Sequence, residues 1–163
     1  MEITTVKLHP SFPEVVWIVV EQPGTEAQRM AYDVQENKFN RTAYKSLLYE
    51  RGFRGDYGWI GGLGTPPKKH CDVFLLTKEK HQVGDILLGY ICGVFFRRDG
   101  DHKLVALDEE WHSQLAQNDF AALDEETRQK LMNVYPDVNE NEGWYGSQVA
   151  CTYLENLKAS WSK

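Results

Sequence analysis

Short apolar runs separated by glycine and proline turns constrain the fold of the first two-thirds of this chain. Turn dipeptides include Pro23-Gly24, Gly61-Gly62 and Asp99-Gly100, and such dipeptides interrupt regular structure. Between the turns the sequence predicts β-strands. They lie at Val15–Glu21, Met30–Val34, Ala43–Tyr49, Cys71–Leu76, Asp85–Phe96 and Lys103–Leu107. Several are continuous apolar runs, which is typical of strands covered on both faces or of a small barrel.

The last third of the chain has helical patterns. Asp124 is a predicted N-cap, Glu125 and Glu126 follow in the first turn, and Lys130 lies toward the other end, which suits the helix dipole. A final helix is predicted from about Ser147 to Ser160 because apolar residues recur there at four-residue spacing. Strands followed by helices predict an α+β domain, mainly β, with the C-terminal helices packed against the β-core.

Length and apolar content predict one domain over residues 1–163. The N-terminal residues do not resemble a secretory signal, and the longest apolar stretch, Val15 to Val20, is too short to cross a bilayer. Cys71, Cys92 and Cys151 are widely spaced among apolar neighbours. This pattern predicts buried free thiols in a reducing compartment, and hence a cytoplasmic protein.

The net charge of the chain limits the kinds of ligand that are expected. The formal net charge is −6, which disfavours nucleic acid as a ligand. A local basic pocket remains compatible with a small anion. No membrane partner is predicted.

Polar residues border the apolar runs at three places. Glu21 ends the first strand in "VVWIVVEQP". The second place is "RGFRGDYGWI" (51–60), followed by a glycine-rich loop and by Asp72, the acid that opens the next apolar run. Glu21 also has a purely structural explanation, because a Glu at a strand end is usually solvated. The histidines lack the spacing of a histidine metal site, and none is predicted.

The third place is "GVFFRRDGDHKLVAL" (93–107), where Asp99, Asp101 and Lys103 alternate around a turn. Period-two spacing directs the three side chains the same way if the strand extends back that far. The same letters are also those of an ordinary hairpin, because Asp-Gly is a strong turn signal.

Together and in this order, the three places resemble the soluble family I inorganic pyrophosphatases. The resemblance extends over nearly the whole chain. It is carried by "VVEQP" (19–23), "FNR" (39–41), "DYGWI" (56–60), "VGDILLGYICGVFFRRDGDHKLVAL" (83–107), "NVYPDV" (133–138) and "EGW" (142–144).

The resemblance implies a closed, five-stranded, OB-like barrel with helices outside it. It also implies Mg2+-dependent hydrolysis of pyrophosphate, and a homo-oligomer that is a hexamer in bacterial members. The implied metal ligands are Glu21, Asp72, Asp99 and Asp101. The implied phosphate-binding residues are Arg29, Arg41, Tyr57, Lys103 and Tyr135, with Asp72, Lys103 and Tyr57 as catalytic residues. Arg29 replaces the lysine of the family, which keeps the charge but changes the geometry.

The central motif of the family, Asp-x-Asp-Pro-x-Asp-Val, is degenerate in this chain. The stretch reads "PKKHCDV", so that Pro67 and Lys69 stand where the first two carboxylates are expected and only Asp72 remains. A later phosphate-binding lysine falls at Pro136. Because magnesium requires oxygen ligands, we expect its affinity to be low. Lys69 either acts as a tethered cation beside Asp72 or a phosphate, or points into solvent.

The sequence is therefore compatible with two functions. The first is Mg2+-dependent hydrolysis of pyrophosphate, weakened or altered by the changes at Pro67 and Lys69. The second is a non-catalytic pyrophosphatase homologue that binds a phosphate-rich ligand or a protein partner. A third function, nucleic-acid binding with bases stacked on Trp59 or Trp111, is opposed by the acidic balance.

Overall fold

The computed structural model describes residues 2–66 and 68–162, so that Pro67 lies outside the described residues. The strands are β1 Val15–Gln22, β2 Gln28–Asp33, β3 Lys38–Lys45, β4 Asp56–Ile60, β5 Asp72–Leu76, β6 Ile86–Phe96, β7 Lys103–Leu107 and β8 Gly143–Gly146. The α-helices are α1 Leu47–Glu50, α2 Glu109–Gln114, α3 Glu125–Met132 and α4 Ser147–Trp161.

Five strands close into a barrel. Their order is β1-β4-β5-β7-β6, and β6 pairs back onto β1. β5 and β7 are parallel, whereas the other pairs of the barrel are antiparallel. β8 extends the sheet beyond β6, and β2 and β3 form a separate hairpin. The predicted α+β class and closed five-stranded barrel are confirmed.

The parallel pair at the centre explains the continuous apolar runs. All five residues of β5 and all five of β7 are buried, as expected for strands covered on both faces. Val73 and Leu75 belong to one core cluster, whereas Phe74 and Leu76 belong to another on the opposite face. Burial of each large apolar side chain contributes about 1.5–3 kcal/mol, so that β5 is anchored from both sides.

The strand predicted at Ala43–Tyr49 is wrong in its second half. β3 ends at Lys45, and Ser46 begins the short helix α1 because its hydroxyl accepts a hydrogen bond from the Tyr49 amide at 3.3 Å. Serine is a preferred N-cap residue. The capping residue therefore outweighs the β-propensity of the flanking residues.

The predicted helices near the C-terminus are present. Asp124 accepts from the Thr127 amide at 2.7 Å and caps α3. α4 buries Ala150 and Leu154 against the barrel. The cysteines are free, with Cys71 and Cys92 buried and Cys151 half-buried. Among the residues that the structure describes, no helix combines the length and the apolar character needed to span a membrane.

Candidate functional site

The parallel pairing of β5 and β7 places Asp72 directly beside Lys103. The Lys103 ammonium donates to Asp72 Oδ2 at 2.5 Å. Only 5% of the lysine side chain and 9% of the aspartate side chain are exposed. A buried cation and a buried anion therefore neutralise each other at the first residues of two neighbouring strands.

Tyr57 and Asp101 complete the surroundings of the Lys103 ammonium. Lys103 Nζ lies 2.9 Å from the Tyr57 hydroxyl and 3.0 Å from Asp101 Oδ2. Tyr57 comes from β4, which is the other neighbour of β5. Of the three N–H donors that an ammonium carries, those of Lys103 donate to Asp72 and Tyr57, and Asp101 is its ion-pair partner. We call these four residues the Lys103 cluster.

His70 binds the second oxygen of Asp72, with Nε2 lying 2.9 Å from Oδ1. Burial raises the pKa of Asp72, but the hydrogen bonds from His70 and Lys103 and the charge of Lys103 outweigh burial. The pKa of Asp72 is therefore held well below its ordinary range. Burial lowers the pKa of Lys103, but the acidic groups around it, Asp72 first and then Tyr135 and Asp101, together outweigh burial and raise the pKa, so that Asp72 and Lys103 stay charged at neutral pH.

Glu21 approaches the cluster from β1. The pairing of β1 with β4 is irregular between Val20 and Gln22, and a bulge of this kind redirects a side chain. Gly58 faces this part of β1, where a Cβ atom on Gly58 would lie 1.8 Å from the Val19 carbonyl oxygen. Only glycine therefore permits the close strand approach beside Glu21.

The pKa of Glu21 is raised, first by burial and then by the negative charge of Asp72. The charges of His70 and Arg29 act in the opposite direction. Glu21 therefore lies within electrostatic reach of Asp72, His70 and Arg29. Arg29 itself is exposed on β2.

Arg97 links the remaining acids to Tyr135. Its guanidinium lies 4.7 Å from the centre of the Tyr135 ring, 3.4 Å from Asp99 Oδ2 and 3.7 Å from Asp101 Oδ2. Tyr135 in turn stacks on Phe95, with ring centres 5.2 Å apart. Asp99 therefore adjoins the Lys103 cluster through Arg97. β7 begins only at Lys103, so that the strand does not extend back to Asp99.

Arg41 and Lys69 are directed elsewhere. The Arg41 guanidinium on β3 binds both carboxylate oxygens of Glu26, at 3.1 and 2.8 Å, in the segment just before β2. Lys69 is exposed and forms a backbone bridge with Thr65. This position agrees with the solvent-facing alternative for Lys69.

Sequence reasoning missed His70 and Arg97. Each precedes an acid of the site by two positions, His70 before Asp72 and Arg97 before Asp99. In an extended chain, residues two positions apart place their side chains on the same side. The sequence therefore contained a signal for both His70 and Arg97. The histidine spacing excludes a metal site but does not indicate that the partner of His70 is a carboxylate.

The described residues do not fit a magnesium ion. Asp72 and Asp101 share the Lys103 ammonium, and Asp99 faces Arg97. Across residues 2–66 and 68–162, no group of three or more His, Cys, Asp or Glu side chains is arranged to hold a metal ion. Magnesium requires near-octahedral oxygen ligation, and an ammonium already lies between two of the carboxylates implied as its ligands.

The fold has close structural relatives. Over 100% of both chains it is similar to the inorganic pyrophosphatase of Thermus thermophilus, with a TM-score of 0.74 and 16% identity. It is also similar to an inorganic pyrophosphatase of Neisseria gonorrhoeae, over 99% of this chain and 100% of the other, with a TM-score of 0.75 and 17% identity. For the enzyme of Helicobacter pylori the TM-score is 0.73 and the identity 17%, over 98% and 99% of the two chains.

Sequence comparison gives a different result from structure comparison. Neither the protein-family models nor the curated protein sequences include a match to this chain. Identities of 16–17% to the solved structures concern the fold and not the chemistry. The chain has the fold of the inorganic pyrophosphatases.

Proposed function

We propose that this protein binds a small phosphate anion at the Lys103 cluster and does not catalyse metal-dependent hydrolysis. The observation that carries the proposal is the reduced carboxylate set: Lys69 is exposed at the position of a family carboxylate, and the remaining acids Asp72 and Asp101 both contact the Lys103 ammonium. A fixed positive charge stands between the carboxylates that the family resemblance assigns to magnesium. It lowers the affinity of this place for a second cation.

The loss of hydrolysis follows from the same arrangement. Metal-dependent hydrolysis requires a cation that converts bound water into a nucleophile and clamps the leaving group. A lysine ammonium is a single charge and offers no open coordination position. Lys69, at the position of a family carboxylate, is exposed and cannot act as a general base while protonated.

Anion binding is supported by the cations and hydroxyl groups around the cluster. Arg97 and Lys103 lie on either side of Asp101, and the Tyr57 hydroxyl is within hydrogen-bond distance of Lys103. The Asp101 side chain is 57% exposed. We infer that a phosphate oxygen takes the place of Asp101 on Lys103, while buried Asp72 keeps its bond.

Weak magnesium-dependent pyrophosphatase activity is the second candidate. It is favoured by the proximity of several carboxylates, because Glu21 is coupled to Asp72 and Asp101 is bonded to Lys103. The homo-oligomer and the cytoplasmic location expected from the sequence stay predictions.

One experiment compares the two candidates. Phosphate release from pyrophosphate is measured at high protein concentration with Mg2+, Mn2+, Zn2+ or EDTA, and pyrophosphate binding in EDTA is measured by calorimetry. We expect saturable binding without release, and weaker binding in Arg97→Ala. Lys158→Ala on α4 is the control. Metal-dependent release that disappears in Asp101→Ala would establish the second candidate, and the absence of binding would contradict the first.

A further inference from the structure

A cavity lies at the opposite end of β5 from the Lys103 cluster. Its volume is about 780 Å³, and it is bordered by the segment 49–55, the segment 76–80, Trp111 of α2 and the first turn of α3. Leu76, the last residue of β5, lines it, whereas Asp72 is the first residue of that strand. Four residues of strand separate the two places by about 13 Å. The cavity is therefore distinct from the Lys103 cluster.

The cavity has an aromatic and apolar interior. Phe53 and Leu76 are 4% and 5% exposed and form its apolar base. Tyr49 and Trp111 are half-buried on its sides. A cavity of this volume with an apolar base is in the size range of small-molecule sites, and flat rings accept a planar ligand by stacking.

Three cations border the same cavity without a carboxylate partner. The Arg54 guanidinium lies 3.7 Å from the centre of the Tyr49 ring, and Lys78 Nζ lies 5.7 Å from that of Trp111. Lys80 is exposed at the rim. Within the described part of the chain, no carboxylate comes within ion-pair distance of these three side chains.

The acids of the cavity are already engaged. Asp124 accepts from the amide and the hydroxyl of Thr127 at 2.7 and 2.9 Å. Glu126 Oε1 lies 3.4 Å from Lys130 Nζ, and Glu79 Oε2 lies 3.4 Å from His81 Nε2. Glu126 and Glu79 thus have basic partners and Asp124 caps α3, whereas Lys78 and Lys80 have no carboxylate partner among the described residues, so these two ammonium groups are the cations open to an anion.

We propose that this cavity binds a nucleoside monophosphate. The base stacks against Trp111, and the phosphate group accepts charge-assisted hydrogen bonds from Lys78 and Lys80. A planar ring joined to a doubly charged group matches both halves of the lining. The proposal does not depend on the function of the Lys103 cluster, since none of the residues that carry it belongs to that cluster.

The first test compares ligands on the full chain in EDTA by isothermal titration calorimetry. Adenosine monophosphate, ribose 5-phosphate and inorganic phosphate are the probes. We expect adenosine monophosphate to bind about tenfold more tightly than ribose 5-phosphate, because stacking of the base contributes to affinity. Equal affinities for adenosine monophosphate and ribose 5-phosphate, or no binding at all, would overturn the proposal.

The second test locates the bound nucleotide. The double variant Lys78→Ala, Lys80→Ala should weaken the binding of adenosine monophosphate by about tenfold, whereas Arg97→Ala should leave this binding unchanged. Lys158→Ala is a matched control, because Lys158 Nζ lies 5.7 Å from the centre of the Phe12 ring on another surface. Loss of nucleotide binding in Arg97→Ala, or its persistence in the double variant, would assign the nucleotide elsewhere and overturn the proposal.

Discussion

Asp72 and Lys103 form a buried ion pair between directly opposite residues of two parallel strands. Desolvation of both charges is costly, and their mutual attraction offsets that cost only while both partners are present. The hydrogen bonds from His70 and to Tyr57 satisfy the remaining polar atoms. The stability of this end of the barrel therefore depends on the pair as a unit.

Removal of the cation should be strongly destabilising. In Lys103→Met the Asp72 carboxylate stays buried without its main partner, and we expect the free energy of unfolding to fall by about 3–5 kcal/mol. Urea denaturation at pH 7 measures this change.

The double variant Asp72→Asn, Lys103→Met is the control, because it removes both charges. We expect it to recover much of the loss, since a neutral pair carries no uncompensated charge. If the single and double variants were equally unstable, the lost packing of the lysine chain would be the cause and not the charge.

Lowering the pH should reduce the stability of the folded protein through the protonation of Asp72. The pKa of Asp72 in the folded protein is below its ordinary value, so the folded state binds its proton less readily than the unfolded chain does. The resulting stabilisation is present above the unfolded pKa of about 3.9 and is lost as pH falls toward the folded pKa. Urea midpoints between pH 6 and pH 3 should therefore fall more steeply for the natural chain than for Asp72→Asn. If the urea midpoints of the two proteins fell in parallel with pH, Asp72 would not be the group responsible.

Glu21 should have the opposite effect on the pH dependence of stability. Burial and the charge of Asp72 raise its pKa in the folded protein, so the proton is held more tightly in the folded state. Its favourable contribution is present below the unfolded pKa and is lost as pH rises through the folded pKa. We expect Glu21→Gln to stabilise the protein at pH 8, with a gain that diminishes toward pH 4. A constant gain across this range, measured by thermal unfolding, would show that the charge is not responsible.

A second buried pair joins the segment after β5 to β4. His81 Nδ1 lies 2.5 Å from Asp56 Oδ2, and Asp56 Oδ1 accepts from the Gly24 amide at 3.1 Å. Only 2% of the Asp56 side chain is exposed. His81→Ala should lower the free energy of unfolding by about 2 kcal/mol, because it leaves a buried acceptor without its partner.

Glu79→Ala is the matched control for His81. Glu79 is 71% exposed and lies 3.4 Å from the other ring nitrogen of His81, and exposed pairs contribute about 0–1 kcal/mol. Urea denaturation of both variants at pH 7 checks the difference. Similar losses in the two variants would contradict the special role of the buried contact.

The barrel was largely predictable from the sequence because β5 and β7 are apolar at consecutive positions, a pattern with few alternative structures. β4 was not predicted as a strand, because Gly58 interrupts its apolar pattern. That glycine is required by the approach of β1, which becomes visible only in three dimensions.

The partners of each charge at the candidate site were less predictable. Family resemblance singled out Asp72, Asp101 and Lys103, and the structure brings these three together. It could not indicate that Arg41 binds Glu26, because that choice depends on the course of the β2–β3 hairpin. The bond from His70 to Asp72 likewise depends on the local conformation of the chain before β5.

The parallel pairing of β5 and β7 has a consequence for how the chain folds. Parallel neighbours cannot be joined by a tight turn, and here β6 lies between them in the sequence and pairs with β7. The chain must therefore pass through β6 and return along β7 before Asp72 can contact Lys103. Contacts of this kind are formed slowly because loop closure precedes any gain from pairing. We expect the bond between Asp72 and Lys103 to form late in folding, so that Lys103→Met accelerates unfolding more than it slows refolding.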